Sequence, residues 1–162
     1  MDVIYLDYDG VLHPAAVRHH QTPPTVWLET PGHALFESAS VLEQLLEPYP
    51  AARIVLSTSW LREMSPEAAR AYLPQMLASR IIGSTYQPEL FGVGTLKRYS
   101  RSAQIMADVL TRKPTRWLVV DADRISLPDD LQANIVPMPF PGLFDPAAQE
   151  LLRQRLAEVF SK

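Results

Sequence analysis

The chain has 162 residues, of which 47% are hydrophobic and 20% are charged, and its formal net charge is −3. This composition is that of an ordinary globular domain and excludes wholesale disorder, and so small a charge does not by itself indicate a nucleic-acid or membrane partner. The absence of cysteine excludes disulfides, a thiolate nucleophile and thiolate-bound metal. Because no signal peptide is recognisable and no apolar run approaches the roughly 20 residues that span a bilayer, we expect a soluble, cytoplasmic protein.

The first part of the chain alternates strand and helix patterns. Residues 2–6 and 53–57 are short apolar runs typical of buried strands. Residues 34–47 carry leucines on one helical face, and the proline that follows ends the pattern. Residues 13–33 are rich in proline and histidine and have no period, so we predict a long loop or flap there.

The rest of the chain continues this alternation. Ser65 and Pro66 predict a helix that ends near residues 74–78. The remaining predicted elements are a strand over 80–84, a loop over 86–96, a helix over 100–111, strands over 116–120 and 134–137, and a helix over 145–160. Strands alternating with helices predict a three-layer α/β fold with a doubly wound, mainly parallel sheet, and we assign residues 1–162 to a single domain.

Polar side chains follow the strands of the predicted sheet. Asp7 and Asp9 follow the first strand, Ser57 and Thr58 end the second, and Asp121 follows the strand over 116–120. Ligands of such sheets bind beyond the carboxyl ends of the strands, so we expect these residues to converge there although they are far apart in sequence.

The residue types at this edge suit phosphoryl chemistry. Clustered carboxylates repel one another unless a cation neutralises them, and their hard oxygens suit Mg²⁺. A metal lets one carboxylate attack an anionic phosphoryl group, and a second carboxylate two residues away can move protons. A hydroxyl can donate to a phosphoryl oxygen, and a lysine or arginine offsets the remaining charge.

Four segments of the chain resemble the motifs of the haloacid dehalogenase (HAD) superfamily. The first motif is matched by IYLDYDGVLH, the second by IVLSTSW, the third by SRSAQI and the fourth by WLVVDAD, in the order that the family has. Near the end, PGLFDPAAQELL is similar to the closing segment of small capless HAD domains, including those in Swiss-army-knife RNA repair proteins. The resemblance covers essentially the whole chain and implies a HAD-like, Rossmann-like fold without a separate cap domain.

The resemblance implies a role for each matching residue. Asp7 would be the nucleophile that takes up the phosphoryl group, and Asp9 would protonate the leaving oxygen and later deprotonate the attacking water. Thr58 would bind the phosphoryl group, with Ser57 as the rival assignment. Arg101 would supply the stabilising cation, and its rivals for that role are Lys97 and Arg98.

The resemblance also implies a magnesium site. Mg²⁺ would be held by the Asp7 side chain, the Asp9 carbonyl and Asp121. Many members of the family have two adjacent acids in the fourth motif, whereas here Ala122 follows Asp121. Asp123 is the residue that would replace the missing acid, either directly or through water.

Other conspicuous side chains have simpler interpretations. The histidines have irregular spacing in a proline-rich segment, which is typical of exposed loop residues: His13, His19, His20 and His33. His13 lies closest to the first motif and is the one histidine that we would test. Trp60 and Trp117 are interpreted as core residues rather than as surfaces for substrate.

The leading functional hypothesis is a magnesium-dependent phosphatase. A phosphorelay receiver is disfavoured because its phosphorylated aspartate follows a middle strand, and the remaining alternative is a catalytically weak HAD-like binding or interaction module. The two insertion points, residues 13–33 and 86–96, are too short for a cap domain. An open site suits a bulky substrate such as a nucleic-acid end or a phosphoprotein.

A local excess of basic residues would favour a polyanionic partner. Between residues 97 and 116 one acid, Asp108, stands against six bases: Lys97, Arg98, Arg101, Arg112, Lys113 and Arg116. A solvated helix face is the competing interpretation of this stretch.

Overall fold

A sheet of buried parallel strands forms the centre of the computed structural model, which describes residues 1–86 and 99–161. The strands, in chain order, are β1 (Asp2–Leu6), β2 (Val17–Gln21), β3 (Pro24–Leu28), β4 (Arg53–Leu56), β5 (Ile81–Ser84), β6 (Arg116–Asp121) and β7 (Ile135–Pro137). Within the described residues the central sheet has the order β5–β4–β1–β6–β7, and every neighbouring pair in it is parallel. The predicted α/β fold with a mainly parallel sheet is confirmed.

Alternating side chains of β1 pack on the two faces of this sheet. Val3 and Tyr5 belong to one buried cluster, whereas Ile4 and Leu6 belong to the other. All four side chains are at most 1% exposed, as is expected of a central strand with a layer of structure on each side. The register pairs Leu6 with Leu56 of β4 and with Val120 of β6, which brings the carboxyl ends of these three strands level with one another.

Most helices begin close to the predicted positions. The helices are α1 (Ala39–Leu46), α2 (Pro66–Arg70), α3 (Gln75–Ala78), α4 (Arg101–Arg112) and α5 (Pro146–Phe160), with 3₁₀ turns at Ser59–Arg62 and Asp129–Asn134. The side chains of Ser65, Ser100 and Asp145 cap α2, α4 and α5 by accepting backbone N–H groups. None of these helices is long and apolar enough to cross a membrane within the described residues.

Two helix predictions were too long. The helix predicted over 34–47 begins only at Ala39, because Phe36 adopts a left-handed conformation with φ of 57° that a continuous helix cannot contain. The helix predicted to run from residue 65 to 74–78 is divided into α2 and α3, because the chain leaves the helical path before Pro74, which has no amide hydrogen to donate.

The segment predicted as an irregular loop or flap over 13–33 contains an antiparallel hairpin of β2 and β3. The strand pattern of this hairpin is weak in the sequence because only alternate side chains, including Val17, His19 and Val26, are partly buried. This hairpin occupies the first predicted insertion point, and the second, over 86–96, lies outside the described residues except for Tyr86. The assignment of the chain to a single domain stays a prediction.

Two glycines with positive φ provide a test of backbone packing. A Cβ atom on Gly142 would lie 2.6 Å from the Val11 carbonyl oxygen, whereas nothing lies within 4 Å of one on Gly32. Both glycines adopt a left-handed backbone conformation, so Gly32→Ala should lower the free energy of unfolding by about 1 kcal/mol. Gly142→Ala should lower it by about 3 kcal/mol, because the added Cβ atom would also clash with the Val11 carbonyl. Urea denaturation measures both losses, and equal losses would contradict this packing.

Candidate active site

Residues from three neighbouring strands meet at the carboxyl edge of the sheet. Asp7 directly follows β1, Ser57 directly follows β4, and Asp121 is the last residue of β6. Two backbone hydrogen bonds continue the ladder beyond the strands: the Asp7 amide donates to the Val120 carbonyl (3.0 Å) and the Ser57 amide donates to the Leu6 carbonyl (2.9 Å). The predicted convergence of these segments is therefore present in the fold.

Three carboxylates form a cluster at this edge. One oxygen from each of Asp7, Asp121 and Asp123 lies within 4.8 Å of the others. Asp7 is 2% exposed and Asp121 is fully buried, whereas the Asp123 side chain is 74% exposed. The backbone amide of Asp123 donates to Asp121 Oδ1 (2.8 Å), which holds this turn against the cluster.

Arg101, the first residue of α4, reaches into the cluster. Its Nη1 atom lies 2.9 Å from Asp7 Oδ2 and 2.8 Å from Asp121 Oδ2. The same nitrogen donates to the Ser57 carbonyl (3.0 Å), and Nη2 lies 3.6 Å from Asp123 Oδ2. The rival cations Lys97 and Arg98 lie outside the described residues.

The charges in this cluster are not balanced. Burial raises the pKa of Asp7 well above its usual range, Arg101 opposes this rise, and Asp121 and Asp9 add to it. Burial also raises the pKa of Asp121, and Arg101 again opposes the rise. Burial opposes the charge of Arg101, but Asp7 and Asp121 outweigh it and raise the pKa of the guanidinium. One guanidinium thus faces three carboxylates, two of which are buried.

This donor set fits a hard divalent cation. Clustered carboxylate oxygens are the ligands that Mg²⁺ prefers, and the excess negative charge gives a cation a reason to bind. Ala122 separates Asp121 from Asp123 in the sequence, and its Cβ lies only 2.4 Å from where a Cβ atom on Gly10 would be. Position 122 therefore packs against the turn of the first motif, and Asp123 supplies the third carboxylate.

The carboxylate of Asp9 is held by a separate set of contacts. Trp60 Nε1 donates to Asp9 Oδ1 (2.7 Å), and His13 Nε2 lies 3.0 Å from the same oxygen. The Asp9 side chain is 20% exposed. Asp7 and Asp9, two residues apart, therefore have different surroundings: Asp7 faces charged side chains, and Asp9 faces the ring nitrogens of Trp60 and His13.

The two candidate hydroxyls also differ. Thr58 is 6% exposed, and its Oγ1 accepts a hydrogen bond from the Trp60 amide (3.4 Å), which caps the 3₁₀ turn Ser59–Arg62. Ser57 is 1% exposed, and its Oγ has no hydrogen-bond partner within the described part of the chain. Thr58 still has a proton to donate, so both hydroxyls stay candidates for binding a phosphoryl oxygen.

The interpretation of His13 as an exposed loop residue was wrong. Its side chain is fully buried and contacts Asp9, four residues earlier, whereas His20 is exposed as predicted. Trp60 and Trp117 are core residues as predicted, with 0% and 8% exposure, but Trp60 also donates to Asp9. The signal that could have identified His13 is its place just after the first motif, where the chain turns back on itself.

Most of the chain matches the model of a known protein family. The family model of the HAD domain in Swiss Army Knife RNA repair proteins matches residues 3–148. The match contains every strand of the central sheet and ends in the first turn of α5. No curated protein and no solved structure gives a significant match to the chain.

Replacing two buried aspartates by asparagine should have opposite effects on the stability of the fold. Asp7 repels its clustered neighbours, whereas Asp108, which is 1% exposed, is satisfied by a bidentate contact to Arg112 and by the Tyr5 hydroxyl. Without metal, Asp7→Asn should therefore raise the free energy of unfolding by about 1 kcal/mol, and Asp108→Asn should lower it by about 2 kcal/mol or more. Urea denaturation in chelator at neutral pH measures both, and a destabilised Asp7→Asn would contradict the charge imbalance.

Proposed function

The chain belongs to the family of HAD domains in Swiss Army Knife RNA repair proteins, and we propose that it is a phosphatase acting through an aspartyl-phosphate. The observation that carries the proposal is the buried Asp7 carboxylate at the end of β1, in contact with Arg101 and close to Asp121. A buried carboxylate with a paired cation and a second acid two residues away has the parts that covalent phosphoryl transfer needs.

In the proposed reaction an Asp7 oxygen attacks phosphorus. As the new bond forms, the bond from phosphorus to the leaving oxygen breaks, and protonated Asp9 gives its proton to that oxygen. Water then attacks the aspartyl-phosphate, Asp9 takes a proton from it, and the bond between Asp7 and phosphorus breaks to release phosphate. Both Asp7 and Asp9 return to their starting states.

Other residues would bind the phosphoryl group and the metal. The hydroxyls of Thr58 or Ser57 and the guanidinium of Arg101 would donate to phosphoryl oxygens. The Asp7 side chain, the Asp9 carbonyl and Asp121 would hold Mg²⁺, with Asp123 contributing directly or through water. Bound Mg²⁺ would supply the positive charge that allows a carboxylate to approach an anionic ester.

We favour a nucleic-acid end as the substrate. The family description refers to RNA repair, and the loop that follows β7 carries two exposed rings: Phe140 is 72% and Phe144 is 54% exposed. Their loop is anchored at this edge, since the Met138 amide donates to the Asp121 carbonyl and the Leu143 amide donates to the Val11 carbonyl (2.9 Å each). Exposed aromatic rings beside a phosphate site can stack on bases.

Three of the six bases in the basic stretch are paired with acids and add little to this proposal. Arg101 contacts the acid cluster, Arg112 contacts Asp108, and Arg116 contacts Asp2. Charges paired in this way offer little attraction to a polyanion. The support for a nucleic-acid substrate is therefore the family and the aromatic rings rather than the local excess of bases.

The first functional prediction concerns the nucleophile. Asp7→Asn should reduce turnover of an aryl phosphate to less than about a hundredth of the wild-type kcat, because an amide cannot form the covalent intermediate. Steady-state kinetics with Mg²⁺ present measures the loss, and Asp108→Asn is the control for a buried aspartate outside the site. Substantial turnover by folded Asp7→Asn would contradict the assignment. A wild-type protein without turnover would favour the weak binding module instead.

The second prediction concerns the metal. Chelator should abolish activity. Asp121→Ala should raise the Mg²⁺ concentration needed for half-maximal activity by at least about tenfold more than Asp123→Ala does, because a buried ligand contributes more to metal affinity than an exposed one. Added Mg²⁺ should also raise the melting temperature of wild-type protein and do so less for Asp121→Ala. Equivalent effects of the two substitutions would show that the fourth motif is misassigned.

The third prediction concerns substrate size. Oligonucleotides with a terminal 3′- or 5′-phosphate should give a higher kcat/KM than mononucleotides, sugar phosphates or a phosphopeptide, because their bases can stack on the two exposed rings. The double substitution Phe140→Ala with Phe144→Ala should reduce this preference by about tenfold while leaving turnover of a small aryl phosphate unchanged. A sugar phosphate or phosphopeptide that is the best substrate at every salt concentration would exclude a nucleic-acid substrate.

A further inference from the structure

His13 is a buried histidine whose two ring nitrogens are both engaged. Its Nδ1 accepts a hydrogen bond from the Phe36 amide (3.1 Å), so this nitrogen carries no proton. The proton is therefore on Nε2, which donates to Asp9 Oδ1 (3.0 Å). A backbone amide thus selects the tautomer that can donate to Asp9.

Trp60 supplies a second donor to the same oxygen. Its indole Nε1 lies 2.7 Å from Asp9 Oδ1, and its side chain is fully buried. Both strong contacts are thus made to Oδ1. The other oxygen, Oδ2, has a weaker contact, because the Ser59 hydroxyl lies 3.5 Å from it, at the outer limit of a hydrogen bond.

A cage of aromatic rings holds these two donors in place. The Phe36 ring meets the His13 ring edge-on at 4.8 Å and the Trp60 ring at 5.3 Å, and the rings of Tyr8 and Tyr72 complete the contacts with Phe36 and Trp60. The φ of 57° at Phe36 is uncommon for an aromatic residue, and the amide of this same residue donates to His13 Nδ1. Surroundings that hold an unfavourable backbone conformation often serve a functional site.

We propose that His13 and Trp60 are positioning residues that hold Asp9 Oδ1, so that Oδ2 is the oxygen that transfers the proton. The inference rests on the proposed phosphatase function. The proton on Oδ2 passes to the leaving oxygen as its bond to phosphorus breaks. Oδ2 then accepts a proton from the water whose oxygen bonds to phosphorus as Asp7 is released. Oδ1 stays an acceptor of two N–H groups throughout.

A positioning role makes a different prediction from a purely structural one. If the two donors only stabilise the fold, their removal will affect every substrate to the same degree. If they orient the acid, their removal will affect esters in proportion to the need of the leaving group for a proton. The KM should stay close to wild type, because neither residue is placed to bind the phosphoryl group.

The test compares phenyl phosphate, a poor leaving group, with 4-nitrophenyl phosphate, a good one. His13→Leu and Trp60→Phe remove the N–H donors, and His13→Gln retains one that can reach Asp9. Matched controls are His33→Leu, which removes a similar i,i+4 contact to Glu37, and Trp117→Phe, which alters a buried indole in the other core cluster. Urea denaturation shows which variants fold.

The expected result is selective. His13→Leu and Trp60→Phe should lower kcat for phenyl phosphate roughly tenfold to a hundredfold and affect 4-nitrophenyl phosphate much less. His13→Gln should recover most of the loss, and the controls should resemble wild type. Equal losses on both esters, no loss on either, or a His13→Gln no better than His13→Leu would overturn the positioning role. If His13→Leu does not fold, Trp60→Phe and His13→Gln decide the question.

A second readout is independent of turnover. In nitrogen-15 spectra the Trp60 indole proton should exchange slowly in wild-type protein and at least about tenfold faster in Asp9→Ala, because the buried acceptor is lost. Rapid exchange in wild-type protein would overturn the contact itself. Wild-type protein with slow exchange that hydrolyses neither ester would overturn the proposed function, and the catalytic role of His13 and Trp60 with it. Active wild-type protein with unselective variants would overturn only the positioning role.

Discussion

Buried negative charge at one edge of the sheet is the constraint on which the rest of the site depends. The parallel register of β1 and β6 places Asp7 and Asp121 at the ends of adjacent strands, and neither residue is more than 2% exposed. Arg101 must then reach both of them, which requires α4 to begin at this edge and to point its first residue inward. The fold thus concentrates negative charge that its own basic side chains offset only in part. Sites of this kind lower the stability of the fold but can bind cations and anions.

The motif that creates this charge also separates two chemical roles. Asp7 and Asp9 are two residues apart, yet Asp7 faces Arg101 and Asp121 whereas Asp9 faces the N–H groups of Trp60 and His13. Pairs of acids in different environments are a common basis for dividing nucleophilic and proton-transfer roles. The difference arises because the chain leaves the sheet after Asp7 and turns at Gly10, whose φ is 77°. The turn places Asp9 beside the aromatic cage rather than within the charged cluster.

The parts of the structure that could be predicted from the sequence depend on local patterns or on strand order. The apolar runs at 2–6, 53–57 and 116–120 contain β1, β4 and most of β6 because buried parallel strands are continuously hydrophobic. The position of Asp121 followed from strand order alone. The hairpin over Val17–Leu28 was missed because its remaining side chains are only half buried and six of its strand positions are exposed: Arg18, His20, Gln21, Pro24, Thr25 and Trp27. The role of His13 depends on a contact with the Phe36 amide, 23 residues away, which no local pattern encodes.

The residue that follows Asp121 in the fourth motif packs against the turn of the first motif. Ala122 lies so close to Gly10 that a Cβ atom on the glycine would be 2.4 Å from the alanine Cβ. On the other side, a Cβ atom on Gly142 would lie 2.7 Å from the Gly10 carbonyl oxygen. The turn of the first motif is therefore packed between two other loops, and a side chain at position 10 would have no space. Asp123 can reach the cluster because the Asp123 amide binds Asp121 Oδ1 and orients this turn toward Arg101. The third carboxylate of the cluster thus stands one residue farther along the chain, at a position where its side chain is 74% exposed.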